Sequence, residues 1–184
     1  MSIPSIPPPA RLIISALTAE ENILASVAAD LTHHLGEIEE TIGPMAFSYT
    51  KYYDAEMGPG LKRWLWSFRS LVDRGELVRL KLLTNRVESS YTYYGKRRVN
   101  LDPGLLTLAN FVLATGKDNA HRIYLGEGIF ADLTLVFRSG SFQRLEWTYP
   151  DYADPCMIQT LNRLRETYKW VQKNQRKRGK DSEA

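Results

Sequence analysis

The segment Arg11–Leu17, RLIISAL, followed by Thr18-Ala19-Glu20-Glu21, decides how the fold of this chain is predicted. A short, mostly apolar run of this kind is typical of a strand buried in a sheet. Thr18 with Glu21 three residues later has the spacing of a capping box, which predicts the start of a helix. Apolar residues then recur at helical spacing before Gly36, which predicts a strand followed at once by a helix.

The next segments extend this unit. Glu37–Tyr49 is predicted to be a strand interrupted at Gly43-Pro44, and Leu61–Leu71 a strand with its tryptophans on one face. Asp73 and Glu76 form a second capping box, and Arg97–Leu101 has the character of a fourth strand. The resulting order, β-α-β-β-α-β, is that of a ferredoxin-like unit. The second helix is expected to bury Leu77, Leu80, Leu83, Thr84 and Val87.

Asp102-Pro103 allows two interpretations. In the first, Asp102 caps a helix with proline at its first position, and that helix runs to Gly116. In the second, Pro103 and Gly104 form a turn between two strands. We favour the helix, because apolar residues follow at helical spacing, namely Leu105, Leu108, Ala109 and Val112.

A β-hairpin and a helix are predicted to complete the domain. His121–Leu125 is expected to be a strand, Ser139-Gly140 is expected to turn the chain between two further strands, and Asp154-Pro155 is expected to begin the last helix. The predicted fold class is α+β, with a ferredoxin-like start, a mainly antiparallel sheet and a C-terminal helix. The predicted organisation is a Pro-rich arm (1–9), one domain (10–172) and a basic flexible tail (173–184).

Composition and charge narrow the functional classes. The single cysteine of the 184 residues excludes an intrachain disulfide. No signal peptide or membrane span is recognisable, so we expect a cytoplasmic protein without a membrane partner. Residues 169–184 carry six Lys or Arg and two acids, whereas the other 168 residues hold 18 bases and 19 acids. The basic character is therefore concentrated in the tail, through which RNA contact is conceivable.

Four stretches of the sequence resemble one known family. They are Arg98–Gly104 (RVNLDPG), Lys117–Gly126 (KDNAHRIYLG), Leu145–Tyr152 (LEWTYPDY) and the segment from Tyr52-Tyr53-Asp54 to Gly60-Leu61-Lys62. These motifs are long and distinctive, and the resemblance spans roughly Arg11 to Tyr168. On them the chain is identified as a member of a bacterial family of uncharacterised proteins, domain of unknown function 4416.

The resemblance implies little about activity. Some members of that family carry the label GTP-binding protein, but this chain has no Gly-x-x-x-x-Gly-Lys-[Ser/Thr] loop. Gly116-Lys117 lacks both the upstream glycine and the following hydroxyl residue. The sequence therefore argues against a P-loop GTPase, and it names neither a cofactor nor a reaction.

Cationic and polar residues between Arg97 and Arg122 are the main candidates for a site. Arginine and lysine suit phosphate and carboxylate, so we expect a small anionic ligand such as a nucleotide or phosphorylated metabolite. His121 and Asp54 are the candidates for proton transfer, with Glu56 beside Asp54. The predicted ligand-binding residues are Arg98, Asn100, Asp102, Lys117, Arg122 and Tyr124.

Alternation along strands limits which of these side chains can meet. His121 and Arg122 are adjacent on a predicted strand and should face opposite ways, whereas Arg122 and Tyr124 can share a face. Asp30 and His34 share a helix face, but no third ligand is indicated, so no metal site is expected. The alternative function is an RNA- or protein-binding module without catalytic activity.

Overall fold

A computed structural model describes residues 1–50 and 52–181, with side chains described through Asn174. The helices are α1 (Leu24–Leu35), α2 (Asp54–Met57), α3 (Leu77–Ser90) and α4 (Pro155–Asp181), with 3-10 turns before α1 and α3. The strands are β1 (Ala10–Thr18), β2 (Ile38–Ala46), β3 (Lys62–Val72), β4 (Thr92–Tyr93), β5 (Lys96–Arg97), β6 (Asn100–Leu106), β7 (Asn110–Thr115), β8 (Arg122–Gly126), β9 (Ile129–Arg138) and β10 (Ser141–Arg144).

One antiparallel sheet organises the molecule, in the order β10-β9-β7-β6-β1-β3-β2, with β8 also on β9. The neighbours β6-β1-β3-β2 are the four strands of the predicted β-α-β-β-α-β unit, and every pairing among them is antiparallel. The α+β class and the mainly antiparallel sheet are therefore confirmed. The small β4–β5 hairpin stands apart as a second, two-stranded sheet.

Helices cover both faces of the sheet. Helices α1 and α3 pack on the face that carries Trp64, Trp66 and Phe68. Helix α4 packs on the other face, where Leu161 and Leu164 join a separate cluster with Ile13, Leu65, Leu106 and Phe111. Because β1 lies between two apolar layers, all nine of its residues are buried. This explains why its sequence is a nearly continuous apolar run.

The predictions at Asp102-Pro103 are wrong, because this dipeptide lies inside β6 and neither caps a helix nor forms a turn. The chain reverses instead at Thr107, whose side-chain oxygen accepts hydrogen bonds from the backbone N–H groups of Ala109 and Asn110. Strand β7 then returns beside β6. Helical spacing misled here because Leu105 and Val112, which are paired across the hairpin, bury their side chains in the same cluster.

The capping predictions are also only partly right. Thr18 belongs to β1, and its hydroxyl oxygen accepts from the N–H of Glu20, two residues on, at 2.9 Å. Asp73 likewise accepts from Gly75 N–H at 2.6 Å. Each motif is therefore followed by a 3-10 turn, and the α-helix begins later than a capping box would place it, by five residues for α1 and by three for α3.

Helix α4 begins where predicted, because Asp154 accepts a hydrogen bond from the backbone N–H of Cys156. Its backbone continues as far as Asp181, through most of the segment predicted to be a flexible tail. Of that basic tail, the side chains from residue 175 onward and residues 182–184 as a whole lie outside the described residues. Among the described residues, no helix combines the length and apolarity needed to cross a membrane.

Candidate functional site

The strand register places a set of polar residues on the face of the sheet that α4 covers only in part. Leu17 is opposite both Arg63 and Asn100, and Ser15 is opposite both Leu65 and Asp102. Directly opposed residues, and residues two apart, point to the same side of a sheet. Arg63, Asn100 and Asp102 therefore belong to one face, the face on which Leu65 packs under α4.

Different segments cover this end of the face. Leu17 contacts Met57 and Leu61 in a small apolar cluster, against which Phe47 and Tyr53 pack. The loop that contains α2 therefore closes the site from one side. The segment Tyr149–Tyr152 approaches from the other side, because the Tyr152 ring packs on Phe111 and Asp151 reaches Arg63. We call the resulting cluster of Arg63, Asp102, Asp151, Tyr53 and Tyr152 the Arg63 site.

Arg63 is the central group of this site and is only 6% exposed. Its Nη2 atom lies 2.5 Å from Asp151 Oδ2. The guanidinium carbon lies 5.1 Å from the centre of the Phe47 ring and 4.7 Å from that of Tyr152. Burial acts to lower the pKa of Arg63, but the charges of the acidic groups around it, led by Tyr152 and followed by Asp151 and Asp102, more than offset this effect, so the pKa is raised. The side chain is held as a cation between two aromatic rings.

The hydrogen bonds of Arg63 are incomplete. Within the described residues, its buried Nε and Nη1 atoms have no hydrogen-bond acceptor. These two atoms carry three of the five N–H donors of a guanidinium group. A buried donor without an acceptor costs about 1–3 kcal/mol, so such groups are rare in folded proteins unless a ligand or water completes them.

A second buried arginine has the same number of unpartnered donors but lies in a different setting. Arg11 also has unpartnered Nε and Nη2 atoms among the described residues. Its Nη1, however, donates to Glu39, to Ser67 Oγ and to the carbonyl of Phe68. Arg11 lies at the other end of β1, about 20 Å away at the rise of a strand, and no exposed lysine or tyrosine is among its contacts there.

Asp102 connects the Arg63 site to a network at the edge of β6. Its Oδ1 accepts from Lys81 Nζ at 3.0 Å and its Oδ2 from Asn100 Nδ2 at 2.6 Å. Lys81 also donates to the carbonyl of Leu101, whose N–H donates to Glu88. Strand β7 pairs only with residues 104–106, so α3 supplies these partners for the part of β6 beyond it. Although burial acts to raise it, the Lys81 ammonium holds the pKa of Asp102 below its usual value.

The rim of the site carries tyrosines and two further cations. Burial, reinforced by the Asp102 charge, raises the pKa of Tyr53 to about 12, so its hydroxyl remains a donor at neutral pH. Lys117 Nζ lies 3.2 Å from the Tyr52 hydroxyl and 4.4 Å from the centre of that ring. Tyr52 in turn packs edge-on against Tyr53. The exposed Lys117 is therefore held at the entrance by aromatic contacts.

Arg122 approaches the same rim through Tyr149. Its Nη2 donates to the Tyr149 hydroxyl at 3.0 Å, and its Nη1 donates to the carbonyl of Lys117 at 2.9 Å. Its Nε, however, donates to Asp132 at 2.9 Å, and its side chain is only 4% exposed. Arg122 therefore orders the Lys117 loop and Tyr149, and its own charge is compensated.

The structure brings together some of the predicted ligand-binding residues and separates others. Asn100, Asp102, Lys117 and Arg122 lie in or around the Arg63 site through the contacts above. Arg98 is directed elsewhere, because it forms a bidentate ion pair with Glu20. The sheet order places Tyr124, on β8, three strands from β6, a separation of about 14 Å at the usual strand spacing.

The candidates for proton transfer also fall outside the Arg63 site. His121 Nε2 lies 3.3 Å from Asp132 Oδ2, the same oxygen that binds Arg122, and its ring stacks on Trp147. The two neighbours were expected to face opposite ways, which is wrong because β8 begins only at Arg122, after His121. Asp54 is exposed at the start of α2.

Sequence reasoning did not select the central groups as ligand-binding residues, namely Arg63, Asp151, Tyr53 and Tyr152. One signal was available for Arg63: a charged residue lies inside the apolar run Leu61–Leu71, between Lys62 and Trp64. A charge in such a run is either at an exposed edge or paired in the interior. Its partner Asp151 lies 88 positions further along the chain, and no local pattern connects the two.

The chemistry that these groups can perform is the binding of an anion. Arg63, Tyr53 and Lys117 offer donors, and the half-exposed Asp102 offers a carboxylate to a hydroxyl of the same ligand. Charged donors in a partly desolvated site bind phosphate and carboxylate strongly.

The comparisons with known proteins give one result. The model of one family, Domain of unknown function (DUF4416), matches residues 8–168 of the chain. No curated protein matches the chain, and no solved structure does. The matched range contains every residue of the Arg63 site and its rim, so these residues lie inside the family domain.

Proposed function

Given that the chain belongs to the DUF4416 family, we propose that it binds a small anionic ligand, of the class of phosphorylated metabolites, at the Arg63 site. The observation that carries the proposal is the buried Arg63 guanidinium, which has one carboxylate partner and three N–H donors without an acceptor among the described residues. An anion that accepted these hydrogen bonds would remove an unfavourable feature of the free protein. Part of the binding free energy would come from that gain.

The arrangement of charges favours a phosphate ester over a simple carboxylate. Lys117 contacts Tyr52 but has no ion pair among the described residues, so it adds an uncompensated positive charge at the rim of the Arg63 site. A phosphate dianion can engage both cations, whereas a monovalent carboxylate balances only one. Asp102 and Asp151 would repel a second anionic group and accept hydroxyl hydrogen bonds, which suits a polyol phosphate.

The same proposal places the protein in the cytoplasm, where phosphorylated metabolites are abundant. It assigns binding without a reaction, because His121 and Asp54 lie outside the site. A shared Asp132 oxygen already orients His121 together with Arg122.

The test is a binding titration with inorganic phosphate, glucose 6-phosphate and acetate as probes, followed by calorimetry and thermal unfolding. We expect glucose 6-phosphate to bind with a Kd between about 1 µM and 1 mM and to raise the unfolding temperature. Acetate should bind at least about tenfold more weakly. Arg63→Met should abolish measurable binding, because it removes the central donor while keeping an unbranched side chain of similar length.

Lys117→Ala gives the second variant, since an exposed side chain can be removed without unfolding the protein. It should weaken phosphate binding about 5- to 20-fold, the loss of one charged hydrogen bond. Lys62→Ala is the matched control, because Lys62 is an exposed lysine paired with Glu21 outside the site. Equal affinities for Lys117→Ala and Lys62→Ala, or no binding of any probe up to about 10 mM, would overturn the proposal.

Removal of residues 173–184 separates this function from the alternative. The contacts that form the Arg63 site and its rim come from residues 47–152, which include α3 and β6, and from Leu17 of β1. The shortened protein should therefore bind glucose 6-phosphate as the full chain does. A loss of that binding would contradict the location of the site.

A further inference from the structure

We infer that a second groove, beside the β4–β5 hairpin, binds a nucleoside phosphate, with the base stacked on Tyr93 and the phosphate held by Lys96 and Arg98. The groove has a volume of about 400 Å³, within the range of small-ligand sites. Its lining residues are Glu20, Glu56, Met57, Tyr93, Lys96, Arg97 and Arg98. The inference does not depend on the ligand of the Arg63 site.

The hairpin arranges an aromatic ring and two cations on one side. Tyr93 is paired directly with Lys96 across the hairpin, and Thr92 with Arg97. Opposed residues share a face, and Arg98 follows two positions after Lys96. Tyr94 and Gly95, which connect the strands, both have positive φ values, 47° and 74°, typical of a tight type I′ turn. The tight turn fixes Tyr93 beside Lys96.

Tyr93 offers an exposed surface for a planar ligand. Its side chain is 63% exposed although it belongs to a paired strand. The ring packs edge-on against Tyr94, with centroids 4.4 Å apart, which leaves a face for stacking. Stacking of a base on an aromatic side chain contributes about 1–3 kcal/mol.

The charges of the groove suit a phosphate at one end. Lys96 is exposed and has no ion pair among the described residues, while Arg98 pairs with Glu20 at the surface. An exposed ion pair contributes little to stability, so Arg98 can exchange Glu20 for a phosphate at small cost. Arg97 is different, because it is bound to Glu56, Glu88 and Asn100 and forms a fixed wall.

The acids of the groove suit the remaining groups of a nucleoside. Glu20 and Glu56 are acceptors, whereas ribose hydroxyls and exocyclic amines are donors. Met57 supplies a buried apolar floor. A nucleoside phosphate therefore matches the groove along its length. Its base can stack on Tyr93, its hydroxyl and amino groups can donate to the glutamates, and its phosphate can bind Lys96.

The experiment uses the full chain with AMP, ribose 5-phosphate and inorganic phosphate as probes, measured by calorimetry and by saturation-transfer NMR of the AMP ring protons. We expect AMP to bind with a Kd of about 0.1–1 mM. Tyr93→Ala should weaken AMP binding at least about fivefold, the lower limit for one stacked base. In Arg63→Met, in which the Arg63 site no longer binds a phosphate ester, ribose 5-phosphate lacks the base and should bind at least about fivefold more weakly than AMP.

Tyr94→Ala is the matched control, because Tyr94 is a neighbouring, more exposed tyrosine that does not line the groove. It should leave AMP affinity within about twofold. Equal losses in Tyr93→Ala and Tyr94→Ala, or equal affinities of Arg63→Met for AMP and ribose 5-phosphate, would overturn the inference. AMP binding that is lost in Lys117→Ala and kept in Tyr93→Ala would also overturn it, while leaving the Arg63 site as proposed.

Discussion

Two clusters of buried charge, one at β6 and one at β3, lie on either side of β1 and differ in how completely their hydrogen bonds are satisfied. In the cluster of Lys81, Glu88 and Asp102, both oxygens of each carboxylate accept a hydrogen bond, and the ammonium binds a carbonyl and a carboxylate. In the other cluster, Arg63 has one carboxylate and two nitrogen atoms without acceptors among the described residues. The first cluster is complete without a ligand, and the second is not.

This difference separates a structural role from a binding role. A satisfied network closes the edge of β6 beyond β7 and fixes the position of α3 on the sheet. An unsatisfied buried cation keeps a free-energy cost that only an added acceptor removes. The two clusters cannot be distinguished by residue type, because each combines one basic residue with acidic residues. They are distinguished by how many of their polar atoms have a hydrogen-bond partner.

The largest effect is expected from breaking the complete network. Lys81→Met leaves Glu88 and Asp102 without a cation between them and leaves the Leu101 carbonyl without its donor. Loss of one partner of a buried ion pair costs about 3–5 kcal/mol, and we expect that decrease in the free energy of unfolding in urea at pH 7. Lys62→Met, at an exposed pair, should cost less than about 1 kcal/mol. Comparable losses in both variants would contradict the structural role of the network.

A smaller effect is expected from replacing the incomplete cluster. In Arg63→Met/Asp151→Asn both charges of the pair are removed together, and the unpartnered N–H groups disappear with them. Replacing a buried pair as a unit is often neutral or stabilising, so stability should stay within about 1 kcal/mol of the unmodified protein. The corresponding double variant of the complete network, Lys81→Met/Glu88→Gln, should remain less stable than the unmodified protein, because Asp102 stays charged and has lost its cation. A double-mutant cycle in urea measures both.

The fold was largely predictable because its order of elements follows from local patterns. The apolar run of β1, the alternation of Trp64, Trp66 and Phe68 and the apolar stripe of α3 each depend on neighbours close in sequence. The β6–β7 hairpin was not predictable in the same way. Leu105 and Val112 match both a helical stripe and a cross-strand pair, and only the tertiary pairing decides between them.

The site was predictable only in part, because its central contacts join distant segments. Lys117 and Arg122 lie near turn signals, which is why sequence reasoning selected them. The pairing of Arg63 with Asp151, and of Asp102 with Lys81, depends on the arrangement of the sheet and α3. Arg98 was selected from the sequence as a ligand-binding residue, but in the structure it is paired with Glu20 at the surface and lies outside the Arg63 site.

The pH dependence of stability should distinguish the two carboxylates of the network. Burial raises the pKa of Glu88 above its usual 4.5. As the pH falls, Glu88 is therefore protonated in the folded protein before it is protonated in the unfolded protein. The free energy of unfolding rises until the pH reaches about 4.5. The lowered pKa of Asp102 has the opposite sign, and its contribution is lost as the pH falls below its usual 3.8. Glu88→Gln should abolish the gain in stability that the wild-type protein shows as the pH falls toward 4.5. The same dependence of the free energy of unfolding on pH in Glu88→Gln and in the unmodified protein would contradict the raised pKa of Glu88.

The smallest change in stability is expected from replacing Arg98. This variant tests whether burial of a charged pair, or the pairing itself, determines its contribution to stability. Arg98 forms a bidentate pair with Glu20, which has more hydrogen bonds than the pair of Arg63 with Asp151. The side chains of Arg98 and Glu20 are 32% and 41% exposed, so water and salt replace the contacts that the substitution removes. Arg98→Ala should therefore leave the urea midpoint unchanged within error, at low and at high salt, and should leave glucose 6-phosphate binding unchanged as well. A loss of stability like that of Lys81→Met would mean that bidentate geometry, rather than desolvation, determines which charges hold this domain together.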